Sequence, residues 1–187
     1  KSKVAAFSFI MYVDSGVKAV LFGMGDALQP AISYNYGAGS PARIWAIERR
    51  VQAAGLLLAL LVLAFMQLGG EALIGLFAKE DAELLSISVR GMRLFSLSYL
   101  FTWCAILSGS FFTALNRPVF SLMTAAGQTL LFPVLFLSVL PRFLGLDGIW
   151  LSPVLAGAAS FLVCLLFLLD TSRRLSSGSG QQAQRPL

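Results

Sequence analysis

An all-α integral membrane fold, a bundle of about five transmembrane helices, is predicted by three features of this sequence. Of its 187 residues, 57% are hydrophobic and only 12% charged, against about a quarter charged in an average soluble domain. Its mean hydropathy is +0.80. Its apolar residues also gather into runs long enough for a bilayer, where a spanning helix needs about 20 residues. A water-soluble chain of this length would form one or two domains, whereas in a membrane it holds several spans joined by short loops.

The first apolar stretch, residues 4–36, carries Asp14, Lys18 and Asp26 together with Gly16, Gly23, Gly25 and the pair Gln29 and Pro30. It reads as one long span kinked at the proline. A membrane tolerates this because neighbouring helices and polar side chains re-satisfy the freed carbonyl. Gly37 to Pro41 then breaks the chain. Ser40 followed by Pro41 predicts an N-cap with proline at the first helical position, opening a short amphipathic helix over 43–50.

The second span, 51–70, is the plainest, since Leu56 to Phe65 contains no polar residue. Glu71, Lys79, Glu80, Asp81 and Glu83 mark an aqueous loop after it, holding an amphipathic turn over 72–77. A third span over 84–115 shows a small and polar row, Ser98, Thr102, Ala105, Gly109 and Thr113, at helical spacing. Such a row predicts a close-packed helix interface in preference to a solute path. The fourth span, 118–141, contains Gln128 and Pro133. The fifth, 149–169, carries the row Ser152, Ala156, Ser160 and Cys164, which again predicts a helix neighbour. The chain divides into a transmembrane bundle over 1–172 and a cytoplasmic tail over 173–187, with the Gly- and Ser-rich stretch from Ser176 expected to be disordered.

Orientation follows from lysine and arginine, which accumulate on cytoplasmic loops. Arg43, Arg49, Arg50, Arg117, Arg173 and Arg174 fall on one side; the acidic loop around Glu80 and Asp81 and the loop with Arg142 and Asp147 fall on the other. The first set is expected in the cytoplasm, which places the C-terminus there too. Arg90 and Arg93, near the outer start of the third span, are read as snorkelling to the interface. Trp45 and Trp150 read as interfacial anchors and Trp103, in mid-span, as packing.

The chain has no histidine, which excludes His-based triads, histidine zinc sites and His general bases. It has no P-loop pattern. Its net charge of +5 comes from residues scattered between apolar runs, not from a basic stripe with stacking aromatics, so nucleic acid is not an expected partner. Cys104 and Cys164 lie inside apolar segments without metal or redox spacing. No cofactor is indicated.

The run from Gly23 to Gly39 reads GMGDALQPAISYNYGAG and is followed by Pro41, Ala42 and Arg43. It resembles the eighth helix of the multidrug and toxic compound extrusion (MATE) family, in which G-x-G-x-A-x-Q-P runs into Y-N-Y-G-A before a basic loop. The segments RLFSLSY from Arg93, GSFFTALNRP from Gly109 and LPRFLGLDGIW from Leu140 resemble the tenth helix and the last extracellular loop of that family. In order and spacing, these strings cover nearly all of the chain before the tail. The resemblance implies a two-lobe, twelve-helix antiporter in the plasma (inner) membrane. Such a protein exports drugs or organic cations in exchange for sodium ions or protons, and this chain would supply helices eight to twelve. The N-terminal lobe, expected upstream of Lys1, would be its partner.

Two departures limit what carries over. Some relatives place an acidic ion ligand in the tenth helix, but no carboxylate lies between Leu84 and Leu115. Many close relatives carry an arginine where this chain has Gln128. The candidate pathway residues are therefore Asp26, Asp14, Lys18, Gln29, Asn35 and Gln128. A charge at mid-membrane costs about 2.5–3.5 kcal/mol on insertion scales, so it faces a partner or a wet cavity. Asp14 and Lys18, four residues apart, can neutralise each other on one helix face. Asp26, beside two glycines, fits a functional or a structural reading equally well. Two alternatives stand beside the antiporter: a lipid-linked oligosaccharide flippase of the same architecture, and a non-transporting membrane scaffold.

Overall fold

The computed structural model describes residues 2–77 and 82–182 and is helical almost throughout. Helix α1 spans Ser2–Gly37 and α2 spans Pro41–Phe77. Helices α3 (Ala82–Ser96) and α4 (Tyr99–Ala114) follow. Next come α5 (Pro118–Ala126), a π turn over Gly127–Leu131 and α6 (Phe132–Leu144), which form one rod. Helix α7 spans Leu146–Gln182.

Among the described residues, three rods are long and apolar enough to cross a bilayer: Pro41–Gly70, Pro118–Leu144 and Leu146–Leu175. The α3–α4 pair makes a fourth if its 45° bend lies within one span. Helix α1, at 36 residues about 54 Å long, packs among them and carries Asp14, Lys18 and Asp26.

Side-chain placement is the inverse of a water-soluble fold. Leu57, Leu61 and Phe65 of α2, Leu122 of α5 and Leu162 and Leu166 of α7 are all more than half exposed. These faces suit hydrocarbon, and a monomer in water does not present so much contiguous apolar surface. In lipid, apolar contact alone does not drive helices together, so small residues that allow close approach do. The expected small-residue rows meet this need. Ser98, Thr102 and Ala105 are buried, as are Ser152, Ala156, Ser160 and Cys164 of α7. A Cβ on Gly157 would sit 3.4 Å from Phe101 Cβ and 3.6 Å from the Ser98 carbonyl oxygen. Thr113, at the end of its row, is exposed.

Two expectations need revision. The amphipathic helix over 43–50 and the second span are not separate, because α2 runs unbroken from Pro41. The first span is, as expected, one long helix with Pro30 inside it. The third span is broken at Leu97 and Ser98. Gln67 Nε2 donates to the Arg93 carbonyl (3.1 Å) and Ser96 Oγ donates to the same oxygen (2.8 Å). That carbonyl would otherwise accept the Leu97 N–H, which bonds Leu94 O instead, and the chain turns. Trp45 stacks at a tilt on Phe111 with centroids 5.4 Å apart, and Trp150 lies against Gly91. The loop around Glu80 and Asp81 lies outside the described residues, and α7 continues to Gln182, into the stretch that composition assigns to the tail.

Candidate functional site

Asp14 is 8% exposed, and its Oδ2 accepts from Lys18 Nζ at 2.7 Å. One turn of α1 thus holds a buried carboxylate with its own counter-ion. The Tyr99 hydroxyl, also buried, lies beside that carboxylate. The pair lines a cavity of about 390 Å³, together with Ser98 and Thr102 around the α3–α4 break, Gln128 of the π turn and Gly157 of α7.

The backbone irregularities that shape the cavity have a local cause. Pro133 has no N–H to give the Thr129 carbonyl, and its ring crowds that oxygen. The ladder widens by one residue, and the Phe132 N–H reaches back to the Gly127 carbonyl, five residues away. A π bulge of this kind re-aims side chains, and Gln128 faces the cavity. Pro133 and Pro153 line it as well. A second, almost wholly apolar cavity of about 210 Å³ adjoins it, and Met11, Phe95, Pro133 and Pro153 line both.

The sequence candidates therefore separate. Asp14, Lys18 and Gln128 meet. Asp26 and Gln29 form another group: Gln29 Nε2 donates to Asp26 Oδ1 at 2.8 Å, and Ser110 Oγ donates to the same oxygen at 2.9 Å. Gly25 makes this contact possible, because a Cβ there would lie 2.7 Å from Ser110 Oγ. Asp26 itself is exposed. Asn35 joins neither group; its Nδ2 donates to the Ala31 carbonyl of its own helix at 2.8 Å.

Sequence reasoning missed Glu48. It is 2% exposed, and its Oε1 accepts from Gln52 Nε2 at 2.6 Å. Ser108 Oγ accepts from the same nitrogen at 3.1 Å. The signal was present: Ile44, Glu48, Val51, Gly55 and Ala59 repeat at three- and four-residue spacing, and all are buried. The flanking Arg43, Arg49 and Arg50 concealed it by making the segment look like a solvated basic face.

A polytopic helical membrane bundle, with charged groups gathered where its helices break, is the class of protein that this geometry defines. The chain belongs to the MatE family, whose sequence profile matches residues 1–138. Two solved structures share the fold. One is described as a MOP superfamily transporter from Pyrococcus furiosus, with a binding pocket of reversed polarity that suggests a different function. Its TM-score is 0.82 at 18% identity, over 94% of this chain and 40% of that one. The other is described as an outward-facing multidrug resistance MATE family transporter of the MOP superfamily. It gives a TM-score of 0.76 at 20% identity, over 93% of this chain and 39% of that one. The chain thus spans about two fifths of these relatives. No curated protein matches it in sequence.

Proposed function

We propose that this chain is part of a secondary antiporter exporting drugs or organic cations in exchange for sodium ions or protons, with the Asp14 cavity on the solute's route. The observation that carries this reading is the meeting of a buried carboxylate with a broken span, a π turn and two prolines at one cavity. Interrupted helices at membrane depth line binding sites in secondary transporters. An apolar cavity beside a charged one suits an amphipathic cation. Such a solute takes the place of Lys18 at Asp14 while its apolar part lies toward Met11 and Phe95. Lys18 is the one basic group among the cavity's described lining residues, which is thin provision for the pyrophosphate of a flippase substrate.

The arginines at the end of the bundle shared by Arg43, Arg117 and Arg174 support a cytoplasmic C-terminus in an inner membrane. A complementary N-terminal lobe would complete the solute pathway.

The test uses an intact transporter carrying this segment. Asp14→Asn should abolish most efflux of a fluorescent organic cation at unchanged expression. Asp26→Asn should lower it less, since Asp26 is exposed and lies 12 residues along an unbroken helix, about 18 Å away. Normal efflux by well-expressed Asp14→Asn would remove Asp14 from the route.

A further inference from the structure

The Glu48 cluster meets α4 at Ser108, two residues from the Ser110 that holds Asp26, and has a distinct chemistry. One oxygen of Glu48 accepts from the Gln52 amide nitrogen at 2.6 Å. Two buried atoms of this pair have no hydrogen-bond partner among the described residues: the other carboxyl oxygen, Glu48 Oε2, and the amide oxygen, Gln52 Oε1. These are the two atoms that join when a carboxylic acid and a carboxamide pair head to head. In that pairing the amide N–H donates to one acid oxygen, and the acid O–H donates to the amide oxygen. The first bond is in place. A proton on Oε2 would supply the kind of donor that the unpartnered Gln52 Oε1 lacks.

A carboxylate here would be an uncompensated charge in the bundle interior and would leave both oxygens unpartnered, each a substantial cost. One proton removes the charge and supplies the missing donor. We propose that Glu48 and Gln52 form a buried proton-binding site, a neutral carboxylic acid paired with a carboxamide between α2 and α4.

The neighbouring arginines of α2 do not supply a cation to do the same. Arg49 and Arg50, next along α2, are exposed, and Arg49 Nε donates to the Trp45 carbonyl at 3.3 Å. On α4 the facing titratable group is the Cys104 thiol, 3.9 Å from Ser108 Oγ. On α7 it is the Cys164 thiol, which reaches Thr124 Oγ1 of α5 at 3.9 Å. Both are free and buried. From α1 the acid that meets the same stretch of α4 is Asp26, held at Ser110, two residues along. The site is separate from the Asp14 cavity and does not rest on the transport reading.

Infrared spectroscopy of the full 187-residue chain in lipid nanodiscs tests the proposal. At neutral pH a protonated-carboxyl C=O band should be present, shift down in D₂O and vanish in Glu48→Gln, which keeps the side chain's shape and should keep helical content. Gln52→Leu should move the same band to higher frequency, because the acid loses its partner; this shift decides the matter if Glu48→Gln does not fold. Absence of a Glu48-dependent acid band would overturn the proposal. So would a Glu48 carboxylate band that responds to added sodium, which would make this a metal-cation site.

Discussion

Single atoms decide whether this bundle packs, and Gly148 shows it most sharply. A Cβ at that position would fall 2.6 Å from both the carbonyl carbon and the oxygen of Leu140. Those are backbone atoms of α6 and cannot rotate away. Gly148→Ala should therefore part the α6–α7 hairpin and cost about 1–3 kcal/mol, the range for overpacking. Gly16 is the control, since a Cβ there would meet nothing within 4 Å. Gly16→Ala should be neutral or slightly stabilising, because alanine is the better helix former. Thermal unfolding in detergent, followed by the loss of the monodisperse elution peak, separates the two; equal midpoints would show that the hairpin yields. The same scale shows what the sequence could reveal of the site. Asp14 and Lys18 were legible because charges inside an apolar run stand out, and their spacing of four predicts their pairing. Glu48 was not, because its neighbours in sequence are arginines while its neighbours in space are Gln52 and Ser108.

At the scale of elements, the positions of the helices were legible from hydropathy, and their interruptions were not. Run length and loop polarity suffice for the former, since the membrane fixes both. The break at Leu97 and Ser98 arises from Gln67, some thirty residues earlier in the chain, reaching the Arg93 carbonyl and Ser96 Oγ, each at 3.1 Å. No local pattern encodes such a contact. The π turn is an intermediate case: Pro133 announces a fault in the ladder, but whether a helix kinks, breaks or bulges depends on what packs around it. A Cβ on Gly127 would meet the Phe132 ring at 3.0 Å, so the bulge closes around a glycine. Pro133→Ala restores an N–H able to satisfy the Thr129 carbonyl. The rod should then relax toward α-helical register and turn residue 128 away from the cavity. A cysteine at Gln128, after replacement of Cys104 and Cys164, reports this: its labelling by a small polar thiol reagent should fall several-fold in the Pro133→Ala background. Unchanged labelling would mean that packing, not the proline, holds the bulge.

For the whole molecule, the question is what one packed bundle can do by itself. The spanning stretch of α7, Leu146–Leu175, is tied near both ends. Arg90 of α3 pairs with Asp147 at its start. Arg117, before α5, donates to Thr171 Oγ1 at 2.9 Å and lies 3.5 Å from Asp170 near its far end. Beside that second tie the Phe120 and Phe167 rings stack with centroids 4.4 Å apart. Bonds at both ends, with small residues packed between them, make the bundle suited to moving as one body. Alternating access requires such a body to rock against another around a site near the midplane, and this chain spans only 39–40% of the transporters whose fold it shares. Expressed alone in an efflux-deficient cell, the 187-residue chain should insert and fold yet confer no resistance to organic cations. Coexpressed with the complementary N-terminal part of a matching transporter, it should restore efflux, and Asp14→Asn in this chain should abolish the restored activity. Resistance from the chain alone, at an expression level where a pairing-defective variant gives none, would point instead to two copies assembling into a working pair.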